Sequence, residues 1–451
     1  MLAGCFIYYK ERMLFVDPTW IVFNILNQKH LIISEYRYGA FITQIVPWIA
    51  GFLHVPLKVI LIAYSASFNA FYLCAILVLI FRYKQSALAI LMAFYFTLFV
   101  SDEYFWPNNE VHQGVTWMFL FLGLFLHRIK NLKIYHHFLL IGFGFLAIFS
   151  HFIVIIPFSF LWLFYIIDKK KEIALKPFLF YTLYLLAVFV FKYRLGINGW
   201  YDGAKLTNIK KLDIPGIWHS FSNGHAKTMG TLLLSNYWIV PLLLITGLAF
   251  ALKKKSYFLA ALTLAYSVGY FSLVCLTYPD AFGRGMLFYM ESEWMALSII
   301  ASGLFVFKIL PQLKRGYVPI TLGLIFIVRI IYMLSASQIF HDRLDALNQT
   351  VSALQKRNIH KAIVIKNSET DKDFLMDWGT PVESLFYSSI KGGPQVTFKI
   401  MEEKDIQPIA VDSFYSCFNI GSYRQLNSYY FNVDTTQSYQ VVHYDELRKG
   451  N

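Results

Sequence analysis

The chain has 451 residues, of which 57% are hydrophobic, 18% aromatic and only 15% charged, a balance that excludes an ordinary soluble enzyme and indicates an integral membrane protein. The net charge of +13 does not point to nucleic acid, because much of the Lys and Arg falls in short clusters between apolar runs, where it carries orientation information. The four cysteines (Cys5, Cys74, Cys275, Cys417) have neither a disulfide-framework nor a metal-site spacing.

Met1–Tyr9 is apolar but far short of the roughly 20 residues a crossing needs, and reads as the tail of a first transmembrane helix. Residues 13–56 read as a large loop of short interfacial helices. In it, Met13–Asn27 is interrupted by Asp17-Pro18, a polar stretch runs from Gln28 to Arg37, and the apolar Ala40–Val55 contains Gln44 and Pro47. From Pro56 onward, crossings are expected at 57–81, 85–101, 110–126, 138–149, 152–167, 177–193, 239–252, 256–277, 283–307 and 317–337. Basic residues occupy every second connection: Arg82/Lys84, Arg128–Lys133, Lys169–Lys171, Lys253–Lys255 and Lys308–Arg315. The positive-inside rule makes these five cytoplasmic. Residues 13–56, 101–114, Ser150-His151, 194–238 and Tyr278–Gly285 then face outward. The segments 138–149 and 152–167 are too short to cross singly and suggest a helical hairpin, with His151 in a cavity at its tip.

After about Ser337 the composition changes. His341–Asn358 has helical periodicity, and Ala362–Ile365, Val396–Ile400 and Tyr439–His443 read as short strands. Lys391-Gly392-Gly393-Pro394 is a turn signal rather than a phosphate-cradling loop, so no nucleotide is expected. The expected fold is an α-helical polytopic membrane domain over residues 1–337, with about ten or eleven transmembrane helices, followed by a small C-terminal extracytoplasmic α/β domain over 338–451.

Chemistry concentrates in the outward segments. Ser101–Gly114 carries Asp102, Glu103, Glu110, His112, Tyr104 and Trp106 without a single Lys or Arg, more acidic chemistry than a connection between two helices needs. Asp17 before Pro18 suits a helix N-cap as well as a catalytic carboxylate. Glu35 and Arg37 lie in the same first loop, where each also suits an interfacial charge. Arg284 in the Tyr278–Arg284 turn is able to grip a phosphate bidentately, or to snorkel to the interface. Glu291 and Glu293 sit within an apolar helix, where ionisable residues are costly and usually face the protein interior. Of the two, Glu291 is the candidate for an intramembrane cavity. His219, His225, Lys227 and Asp202 in the long loop are weak signals.

In this order of parts the chain resembles the GT-C glycosyltransferases, membrane enzymes that use polyprenyl-phosphate-linked sugars. The matching parts are a first outward loop with an early acid (Asp17), a second acidic outward loop (Asp102-Glu103), a short mid-chain hairpin (138–167) and a closing small domain. Glu35-x-Arg37-Tyr38 is similar to an acidic-x-Arg-Tyr element of some members. The resemblance implies that Asp17 is the catalytic base or the electrostatic partner of the acceptor, and that Asp102 and Glu103 bind acceptor or a metal; His112 and Glu35 are further candidates for that binding. Arg284, His151, Lys227 and Arg37 are the candidates for holding the donor phosphate. It implies a polyprenyl-phosphate-linked sugar as donor, a glycan or lipid-linked acceptor, membrane lipids and no nucleic acid as partners, and a place in the cytoplasmic (inner) membrane, with a divalent metal left open. A polysaccharide polymerase, a lipid-linked glycan transporter or flippase, and a non-catalytic membrane assembly factor are the competing readings. Paired broken helices in two related halves, which a transporter would have, are not visible in the sequence.

Overall fold

The computed structural model describes residues 1–169, 174–197, 199, 202–203, 213–222, 224–277, 287–434 and 436–449. It is mostly helical, with a small C-terminal α/β region built on a parallel sheet. Among the described residues, five helices are long and apolar enough to cross a membrane: Leu57–Arg82, Leu175–Gly196, Tyr257–Thr277, Leu287–Gln312 and the long Tyr317–Lys356. Two bent pairs raise this to seven if each is one span: Ile134–Ile148 with Phe152–Asp168, bent by 120°, and Ile214–Leu234 with Ile239–Lys253, bent by 79°. The chain is therefore a multi-pass membrane protein, with five to seven candidate crossings among the described residues against the ten or eleven expected.

The difference has local causes. The first helices are α1 (Leu2–Ile7), α2 (Tyr9–Met13), α3 (Val16–Gln28), α4 (Phe41–Phe52), α5 (Leu57–Leu77, running on to Arg82 through a π turn) and α6 (Ser86–Tyr95). The apolar run 85–101 is not one helix, because the chain leaves α6 at Phe96. The carbonyls of Thr97 and Val100 then accept from the buried guanidinium of Arg329 at 3.0 and 3.1 Å. Next, α7 (Glu110–Arg128) starts at the cap Asn109, whose side chain accepts from Val111 N–H at 2.9 Å, and it carries Glu110, His112 and Gln113 in its first turns. The hairpin is present as α8 (Ile134–Ile148) and α9 (Ile155–Asp168). Its tip sits on Gly39, where a Cβ would lie 2.2 Å from the Leu146 carbonyl oxygen, so only glycine permits the approach.

The remaining membrane-domain helices are α10 (Leu175–Gly196), α11 (Ile214–Ser222), α12 (Gly224–Leu234), α13 (Ile239–Lys253), α14 (Tyr257–Thr277), α15 (Leu287–Leu304) and α16 (Tyr317–Ser335). A nearly continuous α17 (Ser337–Lys356) leads to β1 (Lys361–Ile365), α18 (Ser368–Asp373), α19 (Thr380–Lys391), β2 (Thr397–Met401), β3 (Ser413–Tyr415), β4 (Ile420–Ser422), β5 (Gln440–His443) and α20 (Tyr444–Lys449). The three expected strands form one parallel sheet in the order β2-β1-β5, with Ile363 opposite Lys399 and Val441. The short antiparallel β3–β4 pair had no expectation.

The first loop and the C-terminal region pack on each other. Phe23 of α3 meets Phe386, Phe414 and Phe431, and Asn427 donates to the Leu26 carbonyl at 3.0 Å. Val16, a β-branched residue at a φ of 35°, starts α3. Its N–H donates to the buried Glu383 carboxylate at 2.7 Å, which holds the strained turn in place.

Candidate functional site

Asp17 follows that strained turn directly. The helix cap is Phe15, with no side-chain cap bond, so the expected capping role of Asp17 does not hold. Its carboxylate instead accepts from the indole N–H of Trp106 at 2.8 Å. Trp106 lies within the acidic stretch Ser101–Gly114, so the first and second loops meet at this bond.

The two loops enclose a cavity of about 460 Å3. Its polar wall includes Asp17, Glu35, Arg37, Gln44, Asn108 and Glu110. Aromatic side chains face it as well: Trp20, Trp106 and Tyr289 from the membrane domain, with Trp378 and Phe418 from the C-terminal region. Trp378 and Phe418 stack at 4.7 Å between centroids. Arg37 bridges Glu110 at 3.1 Å and Asp202 at 2.8 Å. The lining thus holds three carboxylates against one guanidinium whose charge is already shared. Burial first, and then Glu110, push the Asp17 carboxyl up to about 7, against the smaller opposing effects of the Trp106 bond and Arg37. A cavity with convergent polar groups, aromatic walls and a carboxyl poised near neutrality is a candidate active site.

Asp102 and Glu103 do not line this cavity. They lie beside a second buried cluster around Glu291 of α15, which is only 1% exposed. Glu291 accepts from Ser101 N–H at 3.0 Å and Glu103 N–H at 2.6 Å, and also from the hydroxyls of Ser101 and Tyr237. It ties the start of the acidic loop to the membrane helices. Glu103 contacts His112 at 2.7 Å and accepts from Asn109 at 3.2 Å. The tautomer of His112 that donates Nε2–H to Glu103 accepts at Nδ1 from the Tyr95 hydroxyl, 2.9 Å away. Burial first, then Glu291, push the Asp102 carboxyl up to about 8 and hold Glu103 well above the carboxylate range. Glu291 and Glu103 thus anchor the loop that delivers Trp106 to Asp17. Replacing Glu291 by Ala orphans the buried N–H groups of Ser101 and Glu103, at about 1–3 kcal/mol each, and thermal unfolding in detergent is expected to show the loss.

The phosphate-binding candidates are dispersed. His151 caps the short turn after α8, accepting from Ile153 N–H at 3.2 Å, and does not line the cavity. Lys227 is exposed on α12 and likewise lies off it. Arg284, with the rest of the Tyr278–Gly285 turn, lies outside the described residues, as does much of the 194–238 loop. Among the described residues, no group of three or more His, Cys, Asp or Glu side chains is placed to hold a metal ion.

Of the expected residues, the structure brings together Asp17, Glu35 and Arg37. Sequence reasoning missed Glu110 as a cavity acid, although the acidic stretch contained it. It also missed Trp378 and Phe418, for which no local signal exists. No family model, curated protein or solved structure matches the chain.

Proposed function

We propose that the chain is a membrane glycosyltransferase of the GT-C kind, which moves a sugar from a polyprenyl-phosphate donor to a glycan or lipid-linked acceptor. The observation that carries this reading is Asp17: a carboxyl held near neutral pKa on the wall of an aromatic-lined cavity. In the proposed step its carboxylate takes the proton of the attacking acceptor hydroxyl. The new bond to the sugar's anomeric carbon forms as the bond to the phosphate oxygen breaks, and the electron pair leaves on the polyprenyl phosphate. General-base assistance works best when the base titrates near the working pH. The aromatic walls suit the apolar faces of a sugar, and the acidic lining suits a hydroxyl-bearing acceptor better than a phosphate. The donor phosphate therefore calls for a cation beyond this acidic lining, and Arg284 is the candidate the sequence offers.

The test is turnover by the purified chain in detergent, supplied with a panel of synthetic polyprenyl-phosphate sugars and a lipid-linked glycan acceptor, and read as release of free polyprenyl phosphate with gain of the sugar on the acceptor. A flippase would move such lipids across vesicles without cleaving them, and a polymerase would turn over only lipid-linked repeat units. Either pattern would displace the transferase reading.

The proposed orientation places the cavity outside the cytoplasm. Asp17 and the C-terminal region share one end of the molecule, where Trp378 and Phe418 line the same cavity. The basic residues Arg128, Lys130 and Lys169 gather at the end of α7 away from Glu110, and the positive-inside rule puts them in the cytoplasm. A reporter active only outside the cytoplasm, fused after Asn451, is expected to be active. Activity from a cytoplasm-only reporter would reverse the topology.

A further inference from the structure

Three basic connections converge on a second cavity, of about 450 Å3, lined by Gln85, His127, Arg128, Lys130, Tyr165 and Lys169. It lies at the C-terminal end of α7, while Glu110 of the Asp17 cavity lies at the other end. Eighteen residue steps at the α-helical rise separate the two by about 27 Å. Arg82, Lys84 and Lys133 belong to the same connections. Among the described residues, none of Arg82, Lys84, Arg128, Lys130 and Lys133 has a carboxylate partner, and the nearby Asp168 is taken by Lys308. Cations gathered this way repel one another, and a bound anion relieves that repulsion.

We propose that this cavity binds an anionic phosphate ester. Arg128 offers a planar fork to two phosphate oxygens and Lys130 a compact charge to a third. The space is far larger than a bare phosphate ion needs, and Leu126, Ile129 and the buried Tyr165 line it as well, so the alcohol of the ester has an apolar wall to lie against. Two sources supply this chemistry, the head of an anionic lipid and a water-soluble phosphate ester. The site stands independently of the transferase reading, because no residue of the Asp17 cavity takes part in it.

The experiment follows thermal unfolding of the full chain in a neutral detergent on addition of phosphatidylglycerol, zwitterionic phosphatidylcholine or glycerol 3-phosphate. A rise in Tm with phosphatidylglycerol but not phosphatidylcholine is the expected result and names a lipid head. A rise with glycerol 3-phosphate also supports the site and names a soluble ester. Arg128→Gln with Lys130→Gln should raise the half-maximal concentration at least about tenfold, since charge-assisted bonds are lost. If that double variant does not purify, Lys130→Gln alone, at an exposed side chain, carries the comparison. Lys253→Gln with Lys254→Gln, on a basic connection that does not line the cavity, should bind as the parent does. No rise with either anionic ester overturns the proposal. So does an equal loss in the Lys253/Lys254 variant, which would reduce the effect to general surface charge.

Discussion

Asp17→Asn is expected to reduce sugar-transfer turnover by roughly 10²–10⁴-fold, the usual cost of removing a general base, while the protein folds and binds donor as before. The amide oxygen of Asn still accepts from Trp106 Nε1–H, and Phe15 rather than Asp17 occupies the cap, so no helix end is lost. Asp17→Ala differs by losing the Trp106 bond, which costs about 1 kcal/mol of stability. The pH profile supplies a second readout. With the carboxyl at about 7, the parent rate should climb as pH rises through neutrality, and residual activity of the Asn variant should not follow that limb. Stability should move the opposite way. A carboxyl whose folded pKa is raised from 3.8 to about 7 favours its neutral form in the fold, so stability is lost as pH rises across that window. The Asn variant escapes this loss, and its Tm relative to the parent should be higher at pH 8 than at pH 4. An Asn variant with full turnover would remove Asp17 from the chemistry and move attention to Glu110, the acid that shares its cavity.

The sequence carried the large divisions of this molecule because they follow from composition and period. Runs of apolar residues, a helical hairpin broken at Ser150-His151 and short β-branched strands are each written locally, and each appears. The interruption of the run 85–101 was not legible. Phe96–Val100 is as apolar as the helix before it, and what takes its free carbonyls is Arg329, more than 200 residues away in sequence. The candidate site divides in the same way. Asp17, Glu35 and Arg37 stand out as polar groups in an apolar setting, and they do converge. Asp102 and Glu103 stand out equally, but Glu291 binds the backbone at Ser101 and Glu103 while Glu110 lines the Asp17 cavity, so the acids of one loop divide between two clusters. The aromatic wall from Trp378 and Phe418 depends on how the C-terminal region docks on α3, and that docking rests on long-range contacts that periodicity does not encode.

The docking itself leads to the second large effect. Arg343 of α17 and Glu383 of α19 form a buried pair at 2.7 Å, with side chains 4% and 0% exposed. Arg343 also donates to the carbonyls of Leu375 at 3.0 Å and Leu14 at 3.3 Å, while the other oxygen of Glu383 takes the Val16 N–H. The pair thus joins the C-terminal region to the residue just before Asp17. Arg343→Met leaves a buried carboxylate without its cation, a change that costs about 3–5 kcal/mol. Burial already holds the Glu383 carboxyl above its ordinary range, and Arg343 is the main force opposing that. Without the arginine the carboxyl rises further, so the folded state binds its proton at higher pH than the unfolded chain does. Stability of the variant should therefore fall as pH rises and recover partly in acid, where Glu383 is neutral. Adding Glu383→Gln should relieve the high-pH part of the loss, because the uncompensated charge is gone while an oxygen remains to accept from Val16. Leu at 383 would relieve the charge but orphan that N–H, releasing the strained turn and with it the position of Asp17. Thermal unfolding across pH separates these variants. If Arg343→Met shows no pH-dependent deficit, the pair does not carry the docking, and Asp17 is held by Trp106 and the α3 packing alone.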